Sequence, residues 1–88
     1  MRIKDGFVLR EVAGQIMVVA TGEASRNFSG MIKLNETGRF VWEAVSAGYS
    51  VDGAARELAA RYGIGLAQAR EDVSELVAQM QAEGFIDA

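Results

Sequence analysis

The sequence contains no cysteine and no histidine. The absence of cysteine excludes disulfide bonds and thiol chemistry, and it is compatible with a reducing compartment. Without these two residue types, zinc-type sites and nucleophile–histidine catalytic pairs are excluded as well. Carboxylates, lysine and tyrosine therefore remain as the only candidate catalytic groups.

Long apolar runs and proline are also missing. No stretch approaches the roughly 20 apolar residues that cross a bilayer, and the segment from Met1 to Gly6 lacks the apolar run of a signal peptide. We therefore predict a cytoplasmic protein that does not contact a membrane. Half of the residues are apolar, 24% are charged and none is proline, a composition typical of a chain that folds around a core.

Basic residues are in the minority. Nine lysine and arginine residues stand against 12 aspartate and glutamate residues, which gives a net charge of -3 at pH 7. Affinity for a nucleic-acid backbone comes mainly from basic side chains that displace counterions. We therefore expect no nucleic-acid partner, and the charge favours a basic or neutral partner instead.

The first part of the chain has the alternating pattern of β-strands. Eighty-eight residues are enough for one domain, which we place at 1–88. Phe7–Val12 and Gln15–Ala20, joined by a tight turn at Ala13-Gly14, predict a β-hairpin. Met31–Leu34 predicts a short third strand at an edge of the sheet.

The pattern changes near Leu34, and three helices are predicted after it. Asn35 caps the first, which ends near Ala47, and Ser50 caps the second, Val51–Tyr62. The third runs from Leu66 to about Glu83, and an apolar tail at Phe85-Ile86 folds back. The fold class is therefore α+β and winged-helix-like: a three-stranded antiparallel sheet followed by a three-helix bundle.

The acidic residues of the third helix are the best candidates for chemistry. Glu71, Asp72 and Glu75 could in principle hold an acid, a base or a cation, but neighbouring carboxylates on a surface helix usually only solvate it. The glycines form no phosphate-binding loop. We predict no catalytic residue, no metal site and no cofactor.

A winged-helix outline raises the hypothesis of a DNA-binding regulator. The third helix would enter the major groove, yet Arg70 is its only basic residue, and phosphates would repel its carboxylates. We therefore regard this function as a weaker alternative.

An edge strand beside an apolar helix is typical of a site for extended peptides. The unpaired amides and carbonyls of such a strand can bind a peptide as an added strand. Arg70 and Val77 lie on one shoulder of the third helix's apolar stripe, where that helix could border a strand and leave a groove. Nothing covalent is required for such binding.

Two motifs resemble those of the PqqD-like proteins. Leu34-Asn35-Glu36-Thr37-Gly38, followed by Phe40, Val41 and Trp42, is similar to the family signature L-N-x-T-G-x-x-[IV]-W. A second, less specific pattern is formed by Asp72, Val73, Leu76, Val77, Met80, Gly84, Phe85 and Ile86. The resemblance covers nearly the whole chain from Leu9.

The resemblance implies a peptide chaperone that recognises the leader segment of ribosomally synthesised, post-translationally modified peptides. Such precursors include those of pyrroloquinoline quinone and of lasso peptides. The leader adds as a strand along the third strand and against the third helix. Carried over onto this chain, the peptide-binding residues are Gly30, Met31, Ile32, Lys33, Leu34, Arg70, Val73, Ser74 and Val77. The implied partners are the precursor peptide and a maturation enzyme, such as a radical enzyme or a leader peptidase.

Other interpretations stay open at this point. The polar segment Gly22–Gly30 is longer than the turn of lasso-type members, so the class of peptide is not decided. The domain could also be an interaction domain for a partner enzyme without any peptide ligand. The open edge strand allows either a monomer or a homodimer, because two such edges can pair with each other.

Overall fold

The computed structural model of the protein describes residues 1–22 and 31–87, with Met31 described by its backbone. Within these residues the strands are β1 (Arg2–Ile3), β2 (Phe7–Val12), β3 (Gln15–Ala20), β4 (Met31–Leu34) and β5 (Ile86–Asp87). The helices are α1 (Glu36–Ser46), α2 (Val51–Tyr62) and α3 (Leu66–Ala82). The predicted α+β fold, with a three-stranded antiparallel sheet before three helices, is confirmed.

The main sheet is antiparallel, in the order β2-β3-β4. Ala13 and Gly14 form the hairpin turn with positive φ angles of 52° and 78°, as in a type I′ turn, whose twist matches that of paired strands. The register sets Val18 opposite both Leu9 and Ile32. Because side chains alternate along a strand, these residues share the inner face of the sheet, which packs on the helices.

Side-chain caps begin the first two helices where the sequence predicts them. Oδ1 of Asn35 accepts a hydrogen bond from the Gly38 amide at 2.8 Å, and Oγ of Ser50 accepts one from the Gly53 amide at 3.1 Å. Each cap satisfies an amide that has no partner within the helix. The caps therefore fix the points at which the chain leaves β4 and enters α1, and leaves α1 and enters α2.

The core lies between the inner face of the sheet and the three helices. Its fully buried side chains come from β3, all three helices and the chain after α3, and the largest are Val18, Val41, Val45, Leu58, Val73 and Phe85. Trp42 is 5% exposed, and its ring meets that of Phe85 edge to face at 5.8 Å between centroids. Trp42 is thus a core residue.

A second, two-stranded sheet joins the two ends of the described chain. β1 pairs with β5 in antiparallel register, with Arg2 opposite Asp87 and Ile3 opposite Ile86. The Lys4 amide also donates to the Phe85 carbonyl at 2.8 Å. The predicted apolar tail is therefore a paired strand, which holds Phe85 and Ile86 in the core.

Within the described part of the chain, no helix is both long and apolar enough to cross a lipid bilayer.

Candidate functional site

A groove of about 370 Å³ lies between β4 and α3. Five apolar side chains and Gly38 form most of its surface, and four polar residues complete the lining. The apolar residues are Ile32, Leu34, Leu76, Met80 and Phe85, and the polar ones are Lys33, Asn35, Gln79 and Glu83. An apolar lining with a few polar groups is typical of a binding site rather than of ordinary surface.

β4 forms one wall of the groove and has a free edge. Among the strands that the structure describes, β4 pairs only with β3. In an antiparallel pair, alternate residues turn their N–H and C=O groups away from the partner strand. Two of the four residues of β4 therefore offer backbone groups to an additional strand.

The junction of β4 and α1 closes one part of the groove. A Cβ atom on Gly38 would lie 3.3 Å from Cβ of Leu34 and 3.2 Å from Oδ1 of Asn35. The absence of a side chain at Gly38 thus lets Leu34 pack against the first turn of α1 while Asn35 caps it. The motif Leu34-Asn35-Glu36-Thr37-Gly38 therefore builds the junction between β4 and α1.

One shoulder of α3 forms the opposite wall. Leu76, Gln79, Met80 and Glu83 line the groove, and their spacing of three, four and seven residues places them on the same side of a helix. Leu76 is half-buried and Met80 is 3% exposed, whereas Gln79 and Glu83 are exposed. The wall is therefore apolar at its base and polar at its rim.

The strand residues predicted from the sequence lie at this groove. Ile32, Lys33 and Leu34 line it, and Met31 belongs to the same strand. Gly30 lies outside the described residues.

The helix residues predicted from the sequence do not line the groove. Val73 and Val77 are 0% and 5% exposed and belong to the core. Nε of Arg70 donates a hydrogen bond to Oδ1 of Asp52 in α2 at 2.9 Å. Ser74 is exposed, about 160° around the helix from Leu76 at 3.6 residues per turn. Arg70 thus lies on the shoulder of α3 that faces α2. The spacing of Leu76, Gln79 and Met80 is the sequence signal for the shoulder that lines the groove.

Charged groups elsewhere are on the surface. No polar or charged residue is buried within the described chain, and no cluster of acidic side chains there could hold a metal ion. Glu43, hydrogen-bonded to Arg39 at 3.1 Å, raises the pKa of the Arg39 guanidinium. Neither residue lines the groove.

The fold is similar to two solved structures. "Lasso peptide synthetase B1 complexed with the leader peptide" has a TM-score of 0.77 and 17% identity, with 96% of this chain and 93% of that chain covered. "TbiB1 in Complex with the TbiA(beta) Leader Peptide" has a TM-score of 0.74 and 15% identity, with 99% and 100% covered. Because the identity is low, these likenesses concern the fold alone.

The sequence comparisons identify a family. No significant match is found among curated protein sequences. The sequence profile described as "Coenzyme PQQ synthesis protein D (PqqD)" matches residues 7–86, which include every residue lining the groove. The domains of that family bind peptides without catalysing a reaction. The chain therefore belongs to the coenzyme PQQ synthesis protein D family.

Proposed function

We propose that the protein is a peptide chaperone that binds the leader segment of a ribosomally synthesised precursor peptide. The leader adds to β4 as a strand, fills the groove against α3 and is presented to a modifying enzyme. The observation that carries the proposal is the free edge of β4 beside a largely apolar groove of about 370 Å³. The two similar structures were solved with leader peptides, which supports the same class of ligand here.

Main-chain hydrogen bonds alone would not hold such a peptide. The two outward-facing residues of β4 can exchange about four hydrogen bonds with an added strand, each contributing about 0.5–1.5 kcal/mol. A micromolar Kd needs about 8 kcal/mol beyond the entropic cost of association. Each large apolar side chain buried in the groove would add about 1.5–3 kcal/mol. The groove, more than the strand, therefore determines affinity.

The proposed partner enzyme modifies or cleaves the precursor while the leader is held. A radical enzyme and a leader peptidase are the two classes that the family suggests. Binding leaves the residues that follow the leader outside the groove, because β4 has four residues and spans only about 13 Å at 3.3 Å per residue.

The test is a titration of the purified protein with the leader half of a small peptide encoded beside its gene, followed by calorimetry and NMR. We expect saturable binding. The largest shifts should fall on Ile32–Leu34 and on α3 from Leu76 to Glu83, where the groove is lined. Shifts centred on Arg70, Val73, Ser74 and Val77 would instead favour the helix residues that the sequence predicts.

A pair of variants on α3 tests the groove directly. Leu76→Gln puts a polar group at the apolar base of the groove, and we expect about a ten-fold weaker Kd, equal to about 1.4 kcal/mol. Ala78→Gln is the control, because Ala78 is exposed on the opposite side of the helix. Its Kd should equal that of the unmodified protein.

Two outcomes would contradict the proposal. Equal affinities for the Leu76→Gln and Ala78→Gln variants, with both folded, would exclude the groove as the binding site. No binding to any neighbouring peptide by the folded protein would favour an interaction domain for a partner enzyme.

A further inference from the structure

The register of the main sheet determines which side chains would lie beside an added strand. Ile32 and Leu34 face inward, opposite Val18 and Ile16 of β3. Lys33, although it belongs to the groove lining, alternates with them and directs its side chain to the outer face, opposite Met17. An added strand continues this alternation. Side chains opposite Ile32 and Leu34 would enter the groove, and the one opposite Lys33 would lie on the outer face of the sheet.

Lys33 belongs to a basic row on that outer face. Arg10, Met17 and Lys33 lie side by side across β2, β3 and β4, and both cations are exposed. Among the described residues, Arg10 and Lys33 form no ion pair, whereas Arg2, Lys4, Arg39 and Arg70 each have an acidic partner. Within residues 1–22 and 31–87, Lys33 thus presents a positive charge without an ion-pair partner at the free edge of β4.

No described carboxylate of α3 forms an ion pair with Lys33. Glu83 lies at the rim of the groove, on the inner side of the sheet, while a residue opposite Lys33 points to the outer side. Directly opposed side chains in neighbouring strands are about 5 Å apart, and opposite charges there stabilise the pair.

We infer, on the basis of the proposed function, that Lys33 selects an acidic residue in the bound peptide. The recognised segment is an apolar–acidic–apolar triplet: two large apolar side chains enter the groove, and an aspartate or glutamate between them pairs with Lys33. The triplet reads the same in both directions. The inference therefore holds whether the peptide runs parallel or antiparallel to β4.

The test is a selection from a displayed library of random linear peptides on the immobilised full chain and on its Lys33→Glu variant. The unmodified protein should enrich aspartate or glutamate between two apolar residues, and the variant should enrich lysine or arginine there. Arg56→Glu is the matched control. Arg56 is exposed on α2, away from the groove lining, so this variant makes the same change in net charge and should keep the acidic preference.

The affinities of resynthesised peptides measure how strongly the protein prefers an acidic central residue. For the unmodified protein we expect a peptide with glutamate at the central position to bind about three- to ten-fold more tightly than the same peptide with lysine there. This range corresponds to replacing an exposed cross-strand pair of opposite charges by a pair of like charges. The Lys33→Glu variant should invert this preference, and added salt should reduce it in both proteins.

The two ways of failing are distinguishable. If peptides are enriched with the same central residue on the unmodified protein and on the Lys33→Glu variant, the role of Lys33 is wrong and peptide binding stands. If no peptide is enriched on any of the folded proteins, both the inference and the proposed function are contradicted.

Discussion

Gly38 and Gly53 occupy equivalent positions at the starts of α1 and α2. Each is the third helical residue, and each donates its amide to the side chain that caps its helix. Their surroundings differ. A Cβ on Gly53 would meet only ordinary contacts, the nearest being Oγ of Ser50 at 3.4 Å, whereas one on Gly38 would press on Leu34 and Asn35 at 3.3 and 3.2 Å.

We expect alanine to stabilise the protein at one of these positions and not at the other. Gly53→Ala should raise the free energy of unfolding by about 0.5–1 kcal/mol, because alanine loses less backbone entropy in a helix. Gly38→Ala should bring no gain, since Leu34 and the cap must shift to admit the methyl group. It should also weaken peptide binding, because Leu34 lines the groove.

Urea denaturation of the two variants measures the difference, with a leader-peptide titration of Gly38→Ala beside it. An equal gain in stability at both positions, with unchanged peptide affinity, would show that the β4–α1 junction tolerates a side chain.

At the scale of elements, the short pair β1–β5 combines apolar packing with exposed charge. Ile3 is half-buried and packs against the core, opposite the buried Ile86. Asp87 lies 3.8 Å from Arg2 and 3.9 Å from Lys4, with all three side chains 44–68% exposed. The two kinds of interaction can be removed separately.

We expect the packing to contribute more than the ion pairs. Ile3→Ala should lower the free energy of unfolding by about 1–3 kcal/mol, less than a fully buried isoleucine would cost. Asp87→Asn should change it by less than about 1 kcal/mol, because exposed ion pairs contribute little. Thermal or urea denaturation of both variants checks the order. A larger loss of stability for Asp87→Asn than for Ile3→Ala would show that the ion pairs contribute more than the packing of the β1–β5 pair.

The elements differ in how far the sequence predicts them. The hairpin, β4 and the three helices follow from turn residues, caps and periodicity. Asn35 and Ser50 cap their helices as predicted, and Gly14 has the positive φ of the hairpin turn. β1 and β5 have two residues each, which is too short for any periodicity. Their pairing depends on the chain ends meeting in space.

The sequence predicts residues of the groove lining on one wall only. β4 is identified by its own pattern, which includes Ile32, Lys33 and Leu34. On α3, apolar residues occur on both shoulders, with Leu76 on one and Val77 on the other. Which shoulder borders β4 depends on how the helix packs on the sheet. The spacing of apolar residues along the helix does not determine that packing.

At the scale of the whole molecule, the groove lies at the edge of the sheet while α2 lies outside its lining. β3 is paired on both sides, whereas β4 is paired on one side within the described chain. In native-state hydrogen exchange we expect the amides of β4 to exchange faster than those of β3, since local opening is easiest where few contacts hold a strand.

Peptide binding should change the hydrogen-exchange rates in only part of the chain. Exchange should slow in Ile32–Leu34 and in the second half of α3, and it should stay unchanged in α2. Mass spectrometry of the protein with and without the leader peptide measures both regions at once. Slowing that is uniform along the chain would indicate general stabilisation, without a particular role for the β4 edge.

The shortness of β4 also has a kinetic consequence. With two residues able to pair with an incoming strand, β4 holds a bound leader by few hydrogen bonds, and together with the apolar contacts of the groove these give an expected Kd in the micromolar range. At an ordinary association rate constant of about 10⁶ M⁻¹ s⁻¹, such a complex dissociates at about 1 s⁻¹. The residence time of the leader would then be about one second. One copy of the protein could release a finished precursor and take up the next within a few seconds.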